Sequence, residues 1–285
     1  MQGPIAQVIA LTAYGNAFLQ GSSGPNQTAF YPFNSTFTFC EYVKFANLRL
    51  VREKWEETPY ASDPGDWFER LRNDAVIALR MIYGPSGEKK MPDRMMVGFV
   101  GGGGRWLIEA IGLRSSDYWE GRWQVGDRDR TDRRIWHVAY GRIAGGQVSS
   151  KGTLDNLGDL KEEMGRNLSE IADFARTQNL DHFAKAFESG LSRLTSPQPY
   201  NNLYHKDIAP LQLLPLAAHQ LLGAAQDAWV FGGMGSWNDV GVEKKSQARY
   251  EELSERLYQL LNRAIVAATN SSMLGVAQRA EFGTN

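Results

Sequence analysis

The first 40 residues of this chain contain no aspartate, glutamate, lysine, arginine or histidine. Charged residues make up 22% of the whole chain, so roughly nine would be expected in a stretch of that length. The stretch is not uniformly apolar, because glutamine, asparagine, serine and threonine are spread through it. Soluble proteins seldom leave so long a surface uncharged, since scattered charges prevent association. The segment is therefore expected to lie in the middle of a sheet or to be covered by another chain.

Cysteine is nearly absent as well. The single cysteine, Cys40, excludes an intrachain disulfide and any metal site built on a cysteine cluster. The histidines do not stand at metal-ligand spacing from one another or from Cys40; they are His137, His182, His205 and His219. We therefore predict no metal site, and the lack of disulfides indicates a reducing, cytoplasmic location.

The chain also lacks a charge imbalance. Its formal net charge is −1, which predicts no bulk attraction to nucleic acid or to an anionic membrane. Two stretches are apolar enough to raise the question of a membrane. Residues 4–19 lack a preceding basic region and contain polar interruptions, and residues 211–231 contain Pro215 and Asp227. We predict neither a membrane span nor a targeting segment.

The uncharged segment has the pattern of a β-hairpin. Residues 5–19 and 28–39 flank a cluster of turn-forming residues at 20–27. Residues 36–39 alternate threonine and phenylalanine, as a strand with one apolar face does. We interpret the hairpin as an interface with another chain, and the predicted interface residues are Phe30, Phe33, Phe37 and Phe39.

The rest of the first half predicts one helix and a β-meander. A helix is expected over 64–83, with Asp63 as its N-cap. Strands over 95–100 and 105–111 are expected to pair around the glycine run 101–104. Strands over 118–125 and 134–143 form a second predicted pair.

The second half has the periodicity of helices, over about 157–175, 180–194, 211–230 and 248–269. The third is nearly all apolar and is expected at the centre of the helical layer. We therefore predict an α+β fold, with a mainly antiparallel sheet in the N-terminal half and a helical layer in the C-terminal half. The glycine-rich stretch 145–152 separates a β-rich part, 1–146, from a helical part, 153–285, and the two could also form one compact domain.

The glycine run 101–104 followed by Arg105 allows two interpretations. Glycines between a strand and a helix N-terminus would cradle a phosphate, with Arg105 pairing its charge. The spacing of the known phosphate and dinucleotide motifs is missing, however, and a plain hairpin turn is favoured. Arg105 is kept as a candidate ligand-binding residue.

The remaining candidates lie on loops, where functional residues often occur. His205 is the main catalytic candidate, because histidine titrates near neutral pH and its loop is rich in reactive side chains. Asp227 and Asp239 flank a glycine-rich loop with two tryptophans, and aromatic walls with a few polar groups are typical of a small-molecule pocket. The ligand-binding candidates of that loop are Trp229, Trp237 and Asn238.

These features support two functional hypotheses. The first is a cytoplasmic oligomerising or partner-binding protein, a subunit of a larger assembly, which uses the uncharged hairpin to bind a second copy of itself or another protein. The alternative is an enzyme or small-ligand-binding protein with a site between the sheet and the helical layer. A membrane-inserting hairpin is a third option, disfavoured by irregular alternation and by Pro32. No residue pattern indicates a particular cofactor.

Overall fold

The computed structural model describes residues 1–21, 30–52, 54–87, 91–99, 101–148 and 155–273. In these residues the strands are β1 Cys40–Val51, β2 Lys54–Ala61, β3 Val76–Gly84, β4 Arg105–Gly112, β5 Ser116–Val125 and β6 Trp136–Gln147. The α-helices are α1 Gly3–Leu19, α2 Pro64–Asn73, α3 Asp93–Met96, α4 Leu157–Thr177, α5 Asp181–Arg193, α6 Leu216–Asp227 and α7 Gln247–Asn270. Short 3-10 turns occur at Ser35–Phe37, Trp237–Asp239, Lys244–Ser246 and Ser271–Met273.

All six strands form one sheet in the order β2-β1-β6-β5-β4-β3. Only the contact between β1 and β6 is parallel, and the other neighbours are antiparallel. The predicted α+β class is confirmed, with a mostly antiparallel sheet in the N-terminal half and helices in the C-terminal half. The predicted pair over 118–125 and 134–143 is confirmed as β5 and β6. The β1–β2 hairpin was not predicted.

The predicted N-terminal hairpin is wrong, because its first strand is the α-helix α1. A half-buried strand alternates because one of its faces is exposed to solvent. Segment 3–19 has no exposed face, since twelve of the 17 residues of α1 are buried. A helix that is buried on all sides is apolar all round, so it loses the periodicity by which an amphipathic helix is recognised. Most of the predicted turn and the start of the second strand, residues 22–29, lie outside the described residues.

Helix α1 lies between the sheet and the C-terminal helices, in contact with β3, β4, α2 and α7. Its buried polar side chains find partners there. Tyr140 donates to Gln7 Oε1 at 3.0 Å, and Gln7 Nε2 donates to the Thr36 carbonyl at 3.2 Å. The uncharged segment is therefore covered largely by the chain itself, which explains why it needs no charged surface.

The predicted second strand of the hairpin ends in a 3-10 turn at Ser35–Phe37, and the Asn34 side chain caps it by accepting from Thr36 N at 3.0 Å. Phe30 and Phe37 are buried, and the Phe30 ring stacks on Tyr14 with a centroid distance of 4.3 Å. The alternating threonine and phenylalanine residues therefore form a tight turn here and not a strand.

The helix predicted over 64–83 is wrong in its second half. Asp63 does cap it, accepting from Gly65 N at 2.8 Å and Asp66 N at 3.0 Å. The helix ends at Asn73, however, and Ala75 takes a left-handed φ of 56° before β3 begins. Of the apolar residues that fit a helical stripe here, Trp67 and Leu71 lie in α2 and Ala78 is buried in β3. Branched Val76 and Ile82 are also favoured in a strand.

The strand predicted over 95–100 is wrong as well, since Asp93–Met96 forms the short helix α3 and residue 100 lies outside the described part. The glycine run is consequently not a hairpin turn. Gly103 has a φ of 80°, and a Cβ on Gly102 or Gly103 would collide with Met96 or Val97. The glycines let the chain pass closely over α3 before it enters β4.

The helical predictions of the second half are confirmed by α4, α5, α6 and α7. Helix α6 is the apolar one, and eight of its 12 residues are buried. The predicted boundary at 145–152 overlaps the end of β6, and its residues 149–152 lie outside the described part. Among the described helices, none combines the length and the hydrophobicity needed to span a membrane.

Candidate functional site: a cavity at the edge of the sheet

A cavity of about 780 Å³ lies between β3 and α7. Volumes of roughly 300–1,000 Å³ are typical of small-molecule sites. From β3 it is lined by residues 80–83, and from the following segment by Pro85, Ser86, Pro92 and Asp93. The cavity thus lies where the sheet meets the helical layer.

One face of α7 forms the opposite wall. Its lining residues recur at helical spacing, as in Tyr258, Asn262, Val266 and Asn270. Val266 and the neighbouring Ala267 supply apolar surface, and the other three supply polar groups. The wall is therefore a mixed apolar and polar stripe on a long helix, which holds its side chains at fixed positions.

The free edge of β3 explains how this wall is anchored. Leu79 N donates to Asn16 Oδ1 at 2.7 Å, and Asn16 Nδ2 donates to the Leu79 carbonyl at 2.8 Å. Two residues on, Met81 N donates to Asn270 Oδ1 at 2.7 Å and Asn270 Nδ2 donates to the Met81 carbonyl at 2.9 Å. Each asparagine amide thus pairs with the strand edge as a neighbouring strand would.

Two tyrosines of the cavity share one backbone acceptor. The Tyr258 hydroxyl donates to the Gly103 carbonyl at 2.7 Å, and the Tyr83 hydroxyl lies 3.0 Å from Asp93 Oδ2 and 3.1 Å from the same carbonyl. Burial, with hydrogen bonding to Tyr258, raises the pKa of Tyr83 well above its usual value. The phenol therefore stays protonated and serves as a donor.

Burial alone would raise the pKa of Asp93, but hydrogen bonds from Ser86 and Tyr83 outweigh it and hold the pKa below the usual value. Asp93 accepts from Ser86 N at 2.9 Å and also contacts the Ser86 hydroxyl. An ionised carboxylate with this many donors is a fixed anchor for the segment that follows β3. The two hydroxyls beside it are held as donors and are not activated as nucleophiles.

Carboxylates neutralise the two arginines that line the cavity. Arg80 Nε donates to Glu109 Oε2 at 2.7 Å, on the neighbouring strand. Arg263 contacts Asp155 and Glu163, each at 3.1 Å, and hydrogen bonding to Asp155 raises its pKa. The described lining residues carry two arginines against three carboxylates, those of Asp93, Asp155 and Glu255. This balance gives no excess positive charge for an anionic ligand.

Asn262 is a buried polar residue of this wall. Its side chain is only 3% exposed, and neither Oδ1 nor Nδ2 has a hydrogen-bond partner. The Tyr258 hydroxyl, one turn earlier, donates to the Gly103 carbonyl, and its interaction with Asn262 partly offsets the rise in the pKa of Tyr258 that burial causes. A buried amide without a good partner costs free energy, so Asn262 lowers the stability of this wall.

The predicted ligand and catalytic residues do not line this cavity. Arg105 pairs across the sheet with Glu120, with Nε and Oε1 2.8 Å apart. Because the glycine run enters a strand and not a helix, the helix N-terminus required by the phosphate interpretation is missing.

His205 lies in a separate buried cluster. Its Nδ1 is 3.0 Å from Ser35 Oγ, and Ser35 Oγ and N also contact the Asp207 carboxylate. Burial, with a smaller effect of the Met1 amino group, lowers the pKa of His205 to about 4. Asn34 donates to the Asp207 carbonyl at 2.6 Å. These bonds clamp the turn Ser35–Phe37 onto the loop around residue 205, and the Ser35 proton is committed to Asp207.

The residues of the predicted tryptophan loop hold the helical layer together. Asp227 accepts from Ser189 Oγ at 2.6 Å and Arg193 Nε at 2.7 Å. The fully buried Trp237 donates to Ser254 Oγ at 2.7 Å, and Trp229 is buried too.

Asn238 and Asp239 stabilise the same loop. Asn238 Nδ2 donates to the Arg94 carbonyl at 2.6 Å, and Asp239 accepts from Gly235 N at 2.7 Å. The structure therefore gives a packing or capping contact to each candidate of this loop and places none of them at the cavity.

Of the four predicted interface phenylalanines, two are inside the chain and two are on its surface. Phe30 and Phe37 are core residues, whereas Phe33 is 75% exposed and Phe39 is 42% exposed. The Phe39 ring stacks on the exposed Tyr204 with a centroid distance of 6.4 Å.

The cavity residues of α7 do not stand out in its apolar periodicity, which indicates only the face that packs in the core. A signal was present, since Asn262 and Asn270 interrupt the apolar end of a helix where asparagine has no propensity advantage. A buried amide in such a place needs a partner, which for Asn270 is the backbone of Met81.

Fold and cavity together define an α+β protein with a ligand-sized space between a sheet edge and a long helix. Comparison of the chain with protein-family models, curated proteins and solved structures found no match. Within the described residues, no group of three histidine, cysteine or carboxylate side chains comes together that could hold a metal ion.

Proposed function

We propose that this protein binds a small organic molecule in the cavity between β3 and α7. The observation that carries the proposal is the cavity itself, with a ligand-sized volume and walls that combine apolar side chains, such as those of Ile82 and Val266, with polar ones, such as that of Gln259. This is the second of the two functions expected from the sequence, at a different set of residues. The hydroxyl groups of Tyr83 and Ser86 are hydrogen-bonded to the Asp93 carboxylate. The geometry therefore supports binding and assigns no reaction.

The test is a thermal-shift screen of small metabolites and fragments, followed by calorimetry of the compounds that stabilise the protein. Val266→Trp places an indole in the cavity and should abolish the shift while the protein remains folded. Ala248→Trp puts the same side chain on an exposed position of α7 outside the cavity lining and should leave the shift intact. Equal shifts in both variants would place the binding elsewhere and refute the proposal.

A second candidate function is association with a second copy or another protein, supported by the exposed aromatic surface of Phe33, Phe39 and Tyr204. The two phenylalanines flank the clamped turn Ser35–Phe37, and aromatic side chains are enriched in interfaces. Light scattering should give a multiple of the chain mass for the native protein and the monomer mass for Phe33→Ser/Phe39→Ser. A native monomer would reject self-association, and pull-down with this double variant as control would then test another partner.

A cytoplasmic location is part of the same proposal. Cys40 is free and buried, and burial raises the pKa of its thiol to about 11. A thiol of this kind is compatible with a reducing compartment.

A further inference from the structure

The charged side chains that line the cavity in the described part of the chain already have partners in the protein. Arg80 Nε donates to Glu109 Oε2 at 2.7 Å. The Arg80 side chain is 12% exposed and that of Glu109 is fully buried, so turning Arg80 toward a ligand would deprive a buried carboxylate of its counter-charge. Breaking a buried ion pair in this way is strongly destabilising. Arg80 is therefore fixed to the sheet and does not serve an anionic ligand.

The lining carboxylates are occupied as well. Asp93 accepts hydrogen bonds from the backbone N–H and the hydroxyl of Ser86. Glu255 Oε1 accepts from Gln259 Nε2 at 2.9 Å, and Glu255 Oε2 lies 3.6 Å from Nε of the buried Arg94. A cationic ligand would have to compete with these groups for either carboxylate.

Arg263 is the more exposed of the two lining arginines, since 45% of its side chain is accessible to solvent. Its Nε and Nη2 donate to the Asp155 carboxylate at 3.3 and 3.1 Å, and Nη1 donates to Glu163 Oε2 at 3.1 Å. Each guanidinium nitrogen thus faces a carboxylate, and Asp155 itself lines the cavity. Without these two carboxylates, Arg263 would present the fork of N–H donors by which arginine binds carboxylates and phosphates.

Apolar side chains supply contacts that do not depend on charge. They are those of Ile82, Val266 and Ala267 on the two walls and of Pro85 and Pro92 in the segment after β3. An apolar ligand body gains free energy there by leaving water. A charged group, in contrast, would lose its hydration and find its possible partners already paired. The lining therefore favours an uncharged ligand.

We propose that the cavity binds an uncharged, mainly apolar molecule, and that Asp155 and Glu163 determine this selectivity by holding Arg263 in ion pairs. The inference rests on the proposed binding function and names the class of ligand that the site accepts. The role of the two carboxylates is to keep the positive charge of Arg263 from recruiting an anionic ligand.

The probes are octanol, octanoate and octylammonium, which share an alkyl chain and differ in the charge of the headgroup. At neutral pH, calorimetry should find octanol bound to the native protein at least about tenfold more tightly than either ion, because each ion loses hydration without gaining a free counter-charge. Equal or tighter binding of octanoate or octylammonium would overturn the inference.

The double variant Asp155→Asn/Glu163→Gln tests the role of the two carboxylates. It should raise the affinity for octanoate about tenfold, through a charge-assisted hydrogen bond from the freed Arg263, and leave octanol binding unchanged. Exposed ion pairs contribute little to stability, so the urea midpoint should stay close to that of the native protein. An undiminished preference for octanol over octanoate in this variant would contradict the assigned role.

Arg176 provides a matched control, because an aspartate and a glutamate hold it too. Its Nη1 lies 3.8 Å from Asp181 Oδ1, and its Nε donates to Glu188 Oε1 at 2.9 Å. Arg176 is outside the cavity lining, so Asp181→Asn/Glu188→Gln should leave the affinity for octanoate unchanged. The same gain in both double variants would show that any freed surface arginine binds the anion, and it would overturn the role of Asp155 and Glu163.

The compounds found in the thermal-shift screen separate this inference from the proposed function. Those whose binding Val266→Trp abolishes should be uncharged. Charged compounds that the same substitution blocks would overturn the charge selectivity and leave the cavity as a binding site. Failure of every compound to bind, the three octyl probes included, would count against both proposals.

Discussion

Thr12 and Asn16 lie one turn apart on α1, are both fully buried, and differ in their hydrogen bonding. Asn16 pairs with the backbone of Leu79, whereas Thr12 Oγ1 has no partner. The stabilising or destabilising effect of a buried polar side chain depends on this difference and not on its polarity. Helix α1 thus contains one buried polar side chain that is hydrogen-bonded and one that is not.

Replacing Thr12 by valine, which has the same shape, should therefore stabilise the protein by about 1 kcal/mol, since an unsatisfied hydroxyl is exchanged for a methyl group. Urea unfolding at neutral pH measures the change. Thr36→Val is the matched control, because the buried Thr36 hydroxyl donates to Asn34 Oδ1 at 2.7 Å, and this variant should be destabilised. Destabilisation of both variants to the same extent would contradict the prediction.

His205 makes the stability of the protein pH-dependent. Its pKa is lowered from 6.5 to about 4 by burial first and then by the Met1 amino group, against the opposing effect of Asp207. Because the folded pKa is below the unfolded one, protonation favours unfolding: this contribution is complete above about pH 6.5 and is lost as the pH falls through 4.

From pH 7 to pH 4 the native protein should lose about 3 kcal/mol more unfolding free energy than His205→Gln, in which this group does not titrate. Chemical denaturation across this range gives the comparison. Parallel pH profiles of the two proteins would show that the imidazole is not buried in its neutral form.

At the scale of elements, β3 is an edge strand that is protected by side chains. Exposed strand edges invite pairing with other chains, and proteins commonly cover them with a helix or a loop. Here α1 and α7 cover the edge and also supply Asn16 and Asn270 as substitutes for a seventh strand. The cavity lies beside the second of these pairs, because Met81 and Asn270 both line it.

Asn16→Leu should destabilise the protein by about 2–4 kcal/mol, because the N–H and C=O of Leu79 both lose their partner inside the core. Hydrogen exchange should accelerate at the Leu79 amide in particular, since this proton is bonded to Asn16 Oδ1. The exposed Asn201→Leu is the control and should change stability by less than about 0.5 kcal/mol. An unchanged exchange rate at Leu79 in Asn16→Leu would refute the pairing.

In the whole molecule, α1 packs between the sheet and the C-terminal helices. An N-terminal truncation therefore tests the stability of the core. Removing residues 1–19 takes away a helix packed against β3, β4, α2 and α7. The truncated chain should lose cooperative thermal unfolding and near-ultraviolet circular dichroism, because a core element of this size cannot be replaced by solvent.

Single substitutions provide the control for that truncation. Leu11→Asn buries an amide at a fully buried position of α1, and it should destabilise the fold strongly, by more than about 3 kcal/mol. Phe33→Asn changes an exposed position and should leave the unfolding free energy nearly unchanged. A stable, cooperatively folded Leu11→Asn protein would show that α1 is not central to the core.

Local sequence patterns predict the position of an element when one of its faces is buried and the other is exposed to solvent. Helices α4, α5 and α7 are amphipathic, and β5 and β6 are bounded by turn-forming residues, so their positions could be predicted. The same rules failed for α1, which is buried all round, and for β3, because the apolar residues at 78 and 82 continue the helical stripe of α2. Periodicity carries no information when every face of an element is buried.

The candidate site was less accessible to prediction than the fold. His205, Asp227 and Asp239 were chosen for chemical type, and the structure gives their side chains contacts within loops and helices. The cavity is formed by residues near 80–93 and near 255–270, which are far apart in the chain. Their proximity results from the docking of α7 onto the edge of β3, and no local pattern records it.

By itself, the sequence determined the α+β composition, the positions of the amphipathic helices, the single free cysteine and the unusual uncharged segment at the N-terminus. Tertiary structure alone decided that residues 3–19 of this segment form a central helix covered by the chain's own elements, and that Asn16 and Asn270 pair with the edge of β3. The physical reason is that composition and periodicity indicate which side chains are buried. The hydrogen-bond partner of a buried polar side chain, in contrast, depends on which distant segments pack against it.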